Sequence, residues 1–241
     1  MSIAIYGKNP VRECVRAGTA LELKVNARNA SDPIVLEAKH IHVPIQIVTD
    51  EVLTKLAKSP GHQGFVCICD DFKTVSLESL IASARNKEYP LLLMLDGIED
   101  PHNLGAILRT ADAFGVDGVI IKSREQVGLT PTVAKVSTGA INYVRVASVN
   151  NLSKAIKTLQ DSGYWIVATD GEAKTNYEDV DYRCPICLVV GSEGYGISRL
   201  VKEKSDFLVK IEMVGHVNSL NASVAAAVMV SQVFLARKSS R

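Results

Sequence analysis

Residues 90–121 read PLLLMLDGIEDPHNLGAILRTADAFGVDGVII, and this stretch decides the fold. Leu91–Leu95 is an unbroken apolar run, as suits a strand covered on both sheet faces. A polar loop turns through Pro101, apolar residues then recur at helical spacing over Leu104–Phe114, and a second apolar run follows at Gly118–Ile121. Strand, helix and strand in that order make a βαβ unit with parallel strands. The alternation continues downstream. Tyr143–Ala147, Trp165–Thr169, Ile186–Val190 and Leu208–Ile211 read as strands, and Leu152–Ser162, Leu200–Lys204 and Leu220–Ala236 as helices. Six strands with crossover helices predict a mostly parallel α/β domain over 90–241. Ligands of such sheets sit at the carboxyl ends of the strands.

Upstream, shorter elements alternate. Ser2–Tyr6, Leu21–Ala27, Ile45–Val48 and Gly64–Cys69 read as strands, and Ile34–His40 and Glu51–Lys58 as helices. Asn9-Pro10 reads as an N-cap followed by proline at the first helical position, opening a helix to Ala17. These elements form a small α/β sandwich over 1–70, and the polar stretch 71–89 reads as a linker with one amphipathic turn.

Composition narrows the function. The 241 residues are 47% hydrophobic, enough for a real core, yet no apolar run approaches the roughly 18–20 residues of a membrane span. The first residues, MSIAIYGKNP, lack the features of a signal peptide, so the cytoplasm is the expected compartment and no membrane partner is expected. The net charge of +1 argues against holding nucleic acid by bulk electrostatics. Five cysteines lack a disulfide-framework spacing. Cys184-Pro-Ile-Cys187 has no second pair at a zinc-site distance and runs into an apolar strand rather than a helix, so neither metal nor redox chemistry is expected.

Three segments at strand ends carry unusual residues. In the first, Asn103 stands where it can cap a helix, Gly105-Ala106 permits close approach, and Arg109 has small neighbours, as an anion site would require. The bland alternative is a cap and a solvated arginine. The second, Val190-Gly-Ser-Glu-Gly-Tyr-Gly196, spaces its glycines as GxxGxG, not as the dinucleotide GxGxxG, and no P-loop lysine follows. Its glycines allow positive φ and a backbone close to a ligand; a purely structural turn is the alternative. The third runs from Ile211 to Ser223. Ser219 or Asn218 can cap the last helix, but Asn218, Ser219, Asn221 and Ser223 exceed what capping needs.

Together these segments resemble the three motifs of the SpoU/TrmH family of SPOUT methyltransferases. Asn103, Gly105-Ala106 and Arg109-Thr110-Ala111 are similar to the first, Gly191-Ser-Glu-Gly to the second, and Ile211, Met213, Gly215 and Ser219-Leu-Asn-Ala-Ser-Val-Ala to the third. Glu212 and Ala222 depart from the usual proline and valine. Tyr6-Gly7, Asn9-Pro10-Val11, Glu13 and His62-Gln63-Gly64 resemble the substrate-binding domain of bacterial 23S rRNA guanosine 2′-O-methyltransferases, an L30e-like fold.

The resemblance implies a trefoil knot in the C-terminal half, a homodimer with a site assembled from both chains, and methylation of an RNA ribose 2′-hydroxyl. The expected partner is 23S rRNA or a ribosome assembly intermediate, with tRNA or a non-catalytic RNA-binding role as rivals. S-adenosylmethionine is the implied cofactor, contacted by Thr169, Gly191, Ile211 and Leu220. The implied catalytic group comprises Arg109, Asn103, Glu193, Ser219 and Asn221. A guanidinium stays protonated, so Arg109 is read as a clamp on RNA phosphate or developing alkoxide, oriented with the ribose by the other four.

Overall fold

The computed structural model describes residues 2–238; the last three residues of the expected 90–241 domain lie outside them. The chain forms two compact units. The first comprises the chain through Lys73 together with Leu129–Tyr143, and the second Thr74–Gly128 with the chain from Val144 onward.

The first unit contains β1 (Ser2–Tyr6), α1 (Lys8–Arg16), β2 (Ala20–Val25), α2 (Pro33–His40), β3 (Ile45–Ile47), α3 (Asp50–Ala57) and β4 (Phe65–Asp70). Its sheet runs β1-β4-β2-β3, with β4 antiparallel to both neighbours and β3 parallel to β2. Local chemistry starts α2: Asp32 accepts from the Ile34 amide at 3.0 Å ahead of Pro33. Asn9 does not cap α1. The helix opens two residues earlier, after Gly7 at φ 97°, and its Lys8 amide is satisfied by Gln63 Oε1 at 2.8 Å. A residue remote in sequence thus takes the capping role.

The second unit begins with α4 (Leu77–Ala84), in the stretch read as a linker. Ser76 caps it by accepting from the Ser79 amide at 3.1 Å, and Leu77 and Leu80 enter the core. Leu80 sits so close to the sheet that a Cβ on Gly118 would lie 2.2 Å from it. Burial of these leucines makes the stretch part of the domain, which its polar average concealed. Next come β5 (Leu91–Asp96), α5 (Pro101–Ala113) and β6 (Gly118–Lys122).

The chain then returns to the first unit as α6 (Pro131–Val136) and a 3-10 turn at Ala140–Asn142. Lys135 Nζ lies 4.5 Å from the Tyr6 ring centre, Tyr143 donates to Glu13 at 2.8 Å, and Gly139 is pressed against the Glu13 side chain. The strand expected at Tyr143–Ala147 accordingly starts later. It is β7 (Val146–Val149), followed by α7 (Leu152–Asp161), β8 (Trp165–Thr169), β9 (Thr175–Asn176), β10 (Ile186–Gly191), α8 (Arg199–Lys204), β11 (Phe207–Lys210) and α9 (Ala222–Lys238).

The second sheet has the order β7-β6-β5-β10-β8-β11-β9 among the described residues, and every pairing is parallel. All of β5 and nearly all of β10 are buried, matching their central places. α5 packs on α9, where Phe114 and Phe234 meet edge to face at 5.6 Å. No helix among the described residues is long and apolar enough to cross a membrane. No cluster of three or more metal-ligating side chains is gathered among them. The Cys184 and Cys187 thiols bond backbone groups, not each other, and burial pushes both thiols up.

Candidate active site

β5 and β10 are neighbours, in register to their ends, where Gly191 lies opposite Asp96. Parallel pairing therefore brings the loops after both strands to one edge of the sheet, and β8 and β11 add Thr169 and the segment from Ile211 to the same edge. All three motif segments start there.

Two of them are joined directly to the third. Asn103 Nδ2 donates to Glu193 Oε1 at 2.8 Å, and Asn221 Nδ2 donates to the same oxygen at 2.5 Å and to Asn103 Oδ1 at 2.9 Å. Asn221 Oδ1 in turn accepts from the Ser223 amide at 2.9 Å and its hydroxyl at 2.6 Å. Asn221 is thus the cap of α9, in place of Asn218 or Ser219. Asp100, which accepts from the His102 amide at 2.8 Å, caps α5 in place of Asn103. That frees Asn103 for the triangle. Glu193 Oε2 has no hydrogen-bond partner among the described residues.

The turn carrying Glu193 is closed on itself. Ser192 and Gly196 exchange two backbone hydrogen bonds at 3.1 and 2.9 Å. A Cβ on Gly191 would lie 2.1 Å from the Gly196 carbonyl carbon, so glycine is required there for the turn to close. Asp96, only 7% exposed, holds the turn from below by accepting from the Ser198 amide at 2.7 Å. Sequence reasoning missed Asp96; an acid ending a wholly apolar strand was the available signal.

Beside the turn lies a cavity of about 370 Å³, lined by Thr169, Gly191, Glu193, Ile211, Ser219 and Leu220 among others. Four cofactor candidates and two catalytic ones are therefore neighbours. Thr169 uses its hydroxyl on the Val189 carbonyl at 3.2 Å, a bond within the sheet. Residues 212–220 make no hydrogen bond to any described residue. Their exposed amides and carbonyls at the cavity rim are available to a ligand. The neighbouring Asp170 bonds Lys202 at 2.8 Å. Burial alone would raise its pKa; the Lys202 hydrogen bond, the Glu172 amide and the lysine charge together outweigh this and hold it below the usual carboxylate range.

Arg109 stands apart. It is exposed on α5 and makes no hydrogen bond or ion pair with a described residue. Asn103, Glu193, Ser219 and Asn221, which the sequence reading has orient it, make no hydrogen bond to it within one chain; it follows Asn103 by six residues, about 120° around the helix.

In the first unit the two N-terminal motifs meet through the bond between Lys8 and Gln63. His62 is buried, its Nδ1 accepting from the Gly64 amide at 3.0 Å and its Nε2 meeting Thr54 at 3.1 Å. It shapes the loop that presents Gln63.

A family model described as RNA 2′-O ribose methyltransferase substrate binding matches residues 4–75, and the model of the SpoU rRNA Methylase family matches residues 90–231. The chain belongs to the SpoU rRNA Methylase family. It is thus an RNA methyltransferase of SpoU/TrmH type. A Staphylococcus saprophyticus protein assigned to the TrmH family of tRNA/rRNA methyltransferases is 45% identical over 240 residues, 98% of this chain and 96% of that one. A Staphylococcus aureus relative so assigned is 44% identical over 238 residues, 97% and 96%. A crystal structure of an RNA 2′-O ribose methyltransferase superposes with a TM-score of 0.82 at 26% identity, covering 98% and 89% of the two chains. The SpoU methyltransferase AviRb of Streptomyces viridochromogenes, in complex with AdoMet, superposes with a TM-score of 0.83 at 22% identity, covering 100% and 92%. The parallel-sheet α/β fold of the second unit is that of these SpoU enzymes.

Proposed function

We propose that this chain methylates a ribose 2′-hydroxyl in RNA, in a guanosine of 23S rRNA, with S-adenosylmethionine as donor. One observation carries the reading: Asn103, Glu193 and Asn221, from three separate segments, converge on one carboxylate oxygen beside a cavity at the carboxyl edge of the sheet. The substrate-binding match over residues 4–75 supports RNA as substrate. The family's trefoil knot belongs to the same proposal.

The cavity suits the cofactor. Ile211, Met213, Leu220 and Val190 offer an apolar wall, the rim offers free backbone groups, and Glu193 supplies negative charge for a cationic ligand, Asp170 being paired with Lys202. When bound, S-adenosylmethionine supplies an electrophilic methyl on a sulfonium. The chain's own residues supply position. The paired amides of Asn103 and Asn221 hold the Glu193 carboxylate, leaving Oε2 to accept a hydrogen bond from the ribose 2′-hydroxyl and align that oxygen. The Ser219 hydroxyl, also without a partner, lines the same space. Arg109 remains charged and acts on an RNA phosphate or the developing alkoxide.

Its separation from the triangle favours action in a partner's site within a homodimer. Exposed Val224 and Phe234 on α9 favour the same assembly. The test is methyl transfer from labelled S-adenosylmethionine to an unmodified 23S rRNA transcript, with a tRNA transcript beside it and mapping of 2′-O-methyl positions. Label confined to tRNA, or appearing on a base, overturns the reading.

A further inference from the structure

The turn that holds Glu193 also presents Tyr195, which is 96% exposed. Its flanking residues are Gly194 and Gly196, and a Cβ at either would meet nothing within 4 Å. At that exposure no neighbouring side chain covers either face of the ring. The backbone beneath it is fixed: Ser192 and Gly196 close the turn, and the Tyr195 amide donates to Ser192 Oγ at 3.4 Å. An aromatic ring held on a rigid turn with both faces in water gains nothing for the fold. It lines the same cavity as Glu193, two residues away. The cavity lining holds Asp170, Glu172 and Glu193 against one basic residue, Lys202, so it is not a basic surface for phosphates.

The net charge bears on what fits there. At +1 the chain has little electrostatic attraction for a phosphate backbone, so RNA must be held by local contacts. Base stacking on an aromatic side chain is such a contact and needs no charge. We infer that Tyr195 is a stacking platform for the nucleobase of the nucleotide whose ribose lies against Glu193. The inference rests on the proposed RNA 2′-O-methylation and adds a condition to it. The target base must be unpaired and splayed, because a base inside an A-form helix offers no free face. The substrate is thus a loop or single-stranded nucleotide.

The test uses the full chain with labelled S-adenosylmethionine and an unmodified 23S rRNA transcript, comparing wild type with Tyr195→Phe, Tyr195→Trp and Tyr195→Ala. Both aromatic variants are expected to keep the wild-type KM for RNA to within about twofold. The alanine variant is expected to raise it by roughly 5- to 150-fold, the range of a lost aromatic–base stack. The melting temperature stays unchanged in all three and reports an intact turn, because the 96% exposed side chain is not packed into the fold. A DNA oligonucleotide annealed across the mapped methylation site abolishes transfer. An unchanged RNA KM in Tyr195→Ala, or a dimer dissociating more readily in that variant, overturns the stacking role and leaves the methyltransferase reading intact. No transfer by wild type to any RNA overturns both.

Discussion

Asn103 and Glu193 are 90 residues apart in sequence, yet the amide of one donates to the carboxylate of the other at 2.8 Å. The bond ties the loop after β5 to the turn after β10, and Asn221 locks both to the start of α9. A hydrogen bond to a charged group contributes about 1.5–3 kcal/mol when its partner is otherwise desolvated, and less at an exposed site. Asn103→Ala and Glu193→Gln are each expected to lower kcat/KM for RNA by roughly 10- to 100-fold, within what loss of one such bond supplies. The double variant should lose less than the product of the two effects, because the residues act as a unit. Single-turnover kinetics on all four proteins measure the coupling; strict additivity contradicts it.

Gly191→Ala places a Cβ 2.1 Å from the carbonyl carbon of Gly196, backbone that cannot step aside without opening the turn. Overpacking of this kind costs about 1–3 kcal/mol. The expected result is a weakening of S-adenosylmethionine binding by about tenfold or more, with a melting temperature lowered by only a few degrees. Calorimetric titration and thermal melts check both parts.

Arg109→Lys retains the charge but loses the planar fork, so a bidentate clamp is broken. Activity is expected to fall nearly to background while cofactor affinity survives. Mixing Arg109→Ala with Glu193→Gln should restore part of the activity if each site draws its arginine from the other chain. Mixed protein no more active than either variant alone argues for a site within one chain.

Asp170 supplies a pH dependence. Its folded-state pKa lies below the ordinary carboxylate value, so the bond to Lys202 contributes stability above about pH 4 and loses it as pH falls through the lowered folded value. Wild type should therefore melt above Asp170→Asn at pH 7, and the gap should close in acid. Melting curves from pH 7 down to about pH 3 follow it; a gap that widens in acid reverses the sign.

The first unit depends on a distant segment. A fragment ending at Lys73 lacks α6, the cation–π contact of Lys135 with Tyr6, and the Tyr143 bond to Glu13. It is expected to melt below the same fragment carrying Leu129–Tyr143 through a flexible linker. Lys135→Ala in the full chain should cost about 0.5–1 kcal/mol, the usual size of an exposed cation–π contact, read from denaturant unfolding.

Much of this molecule was legible in its residues. Apolar runs bounded by turns marked the central strands, because strands buried on both faces must be apolar throughout, and the motif residues lay where strand ends place ligands. Elements with local causes were readable: the helix read over Ile34–His40 is α2, which Asp32 and Pro33 start locally. Where a cause was remote, reading failed. Asn9 looked like a cap because the Gln63 side chain that satisfies α1 lies in another loop. Asn103 looked like a cap because its partners, Glu193 and Asn221, are far along the chain. Residues 71–89 looked like a linker because two leucines among polar neighbours show their worth only when buried together. Parallel pairing decided the rest. It set β5 beside β10, brought three separate segments to one carboxylate, left Arg109 outside that group, and fixed Tyr195 in the open above it. Residue types determined what chemistry was available; long-range hydrogen bonds and burial, which local spacing does not encode, determined which of those residues meet.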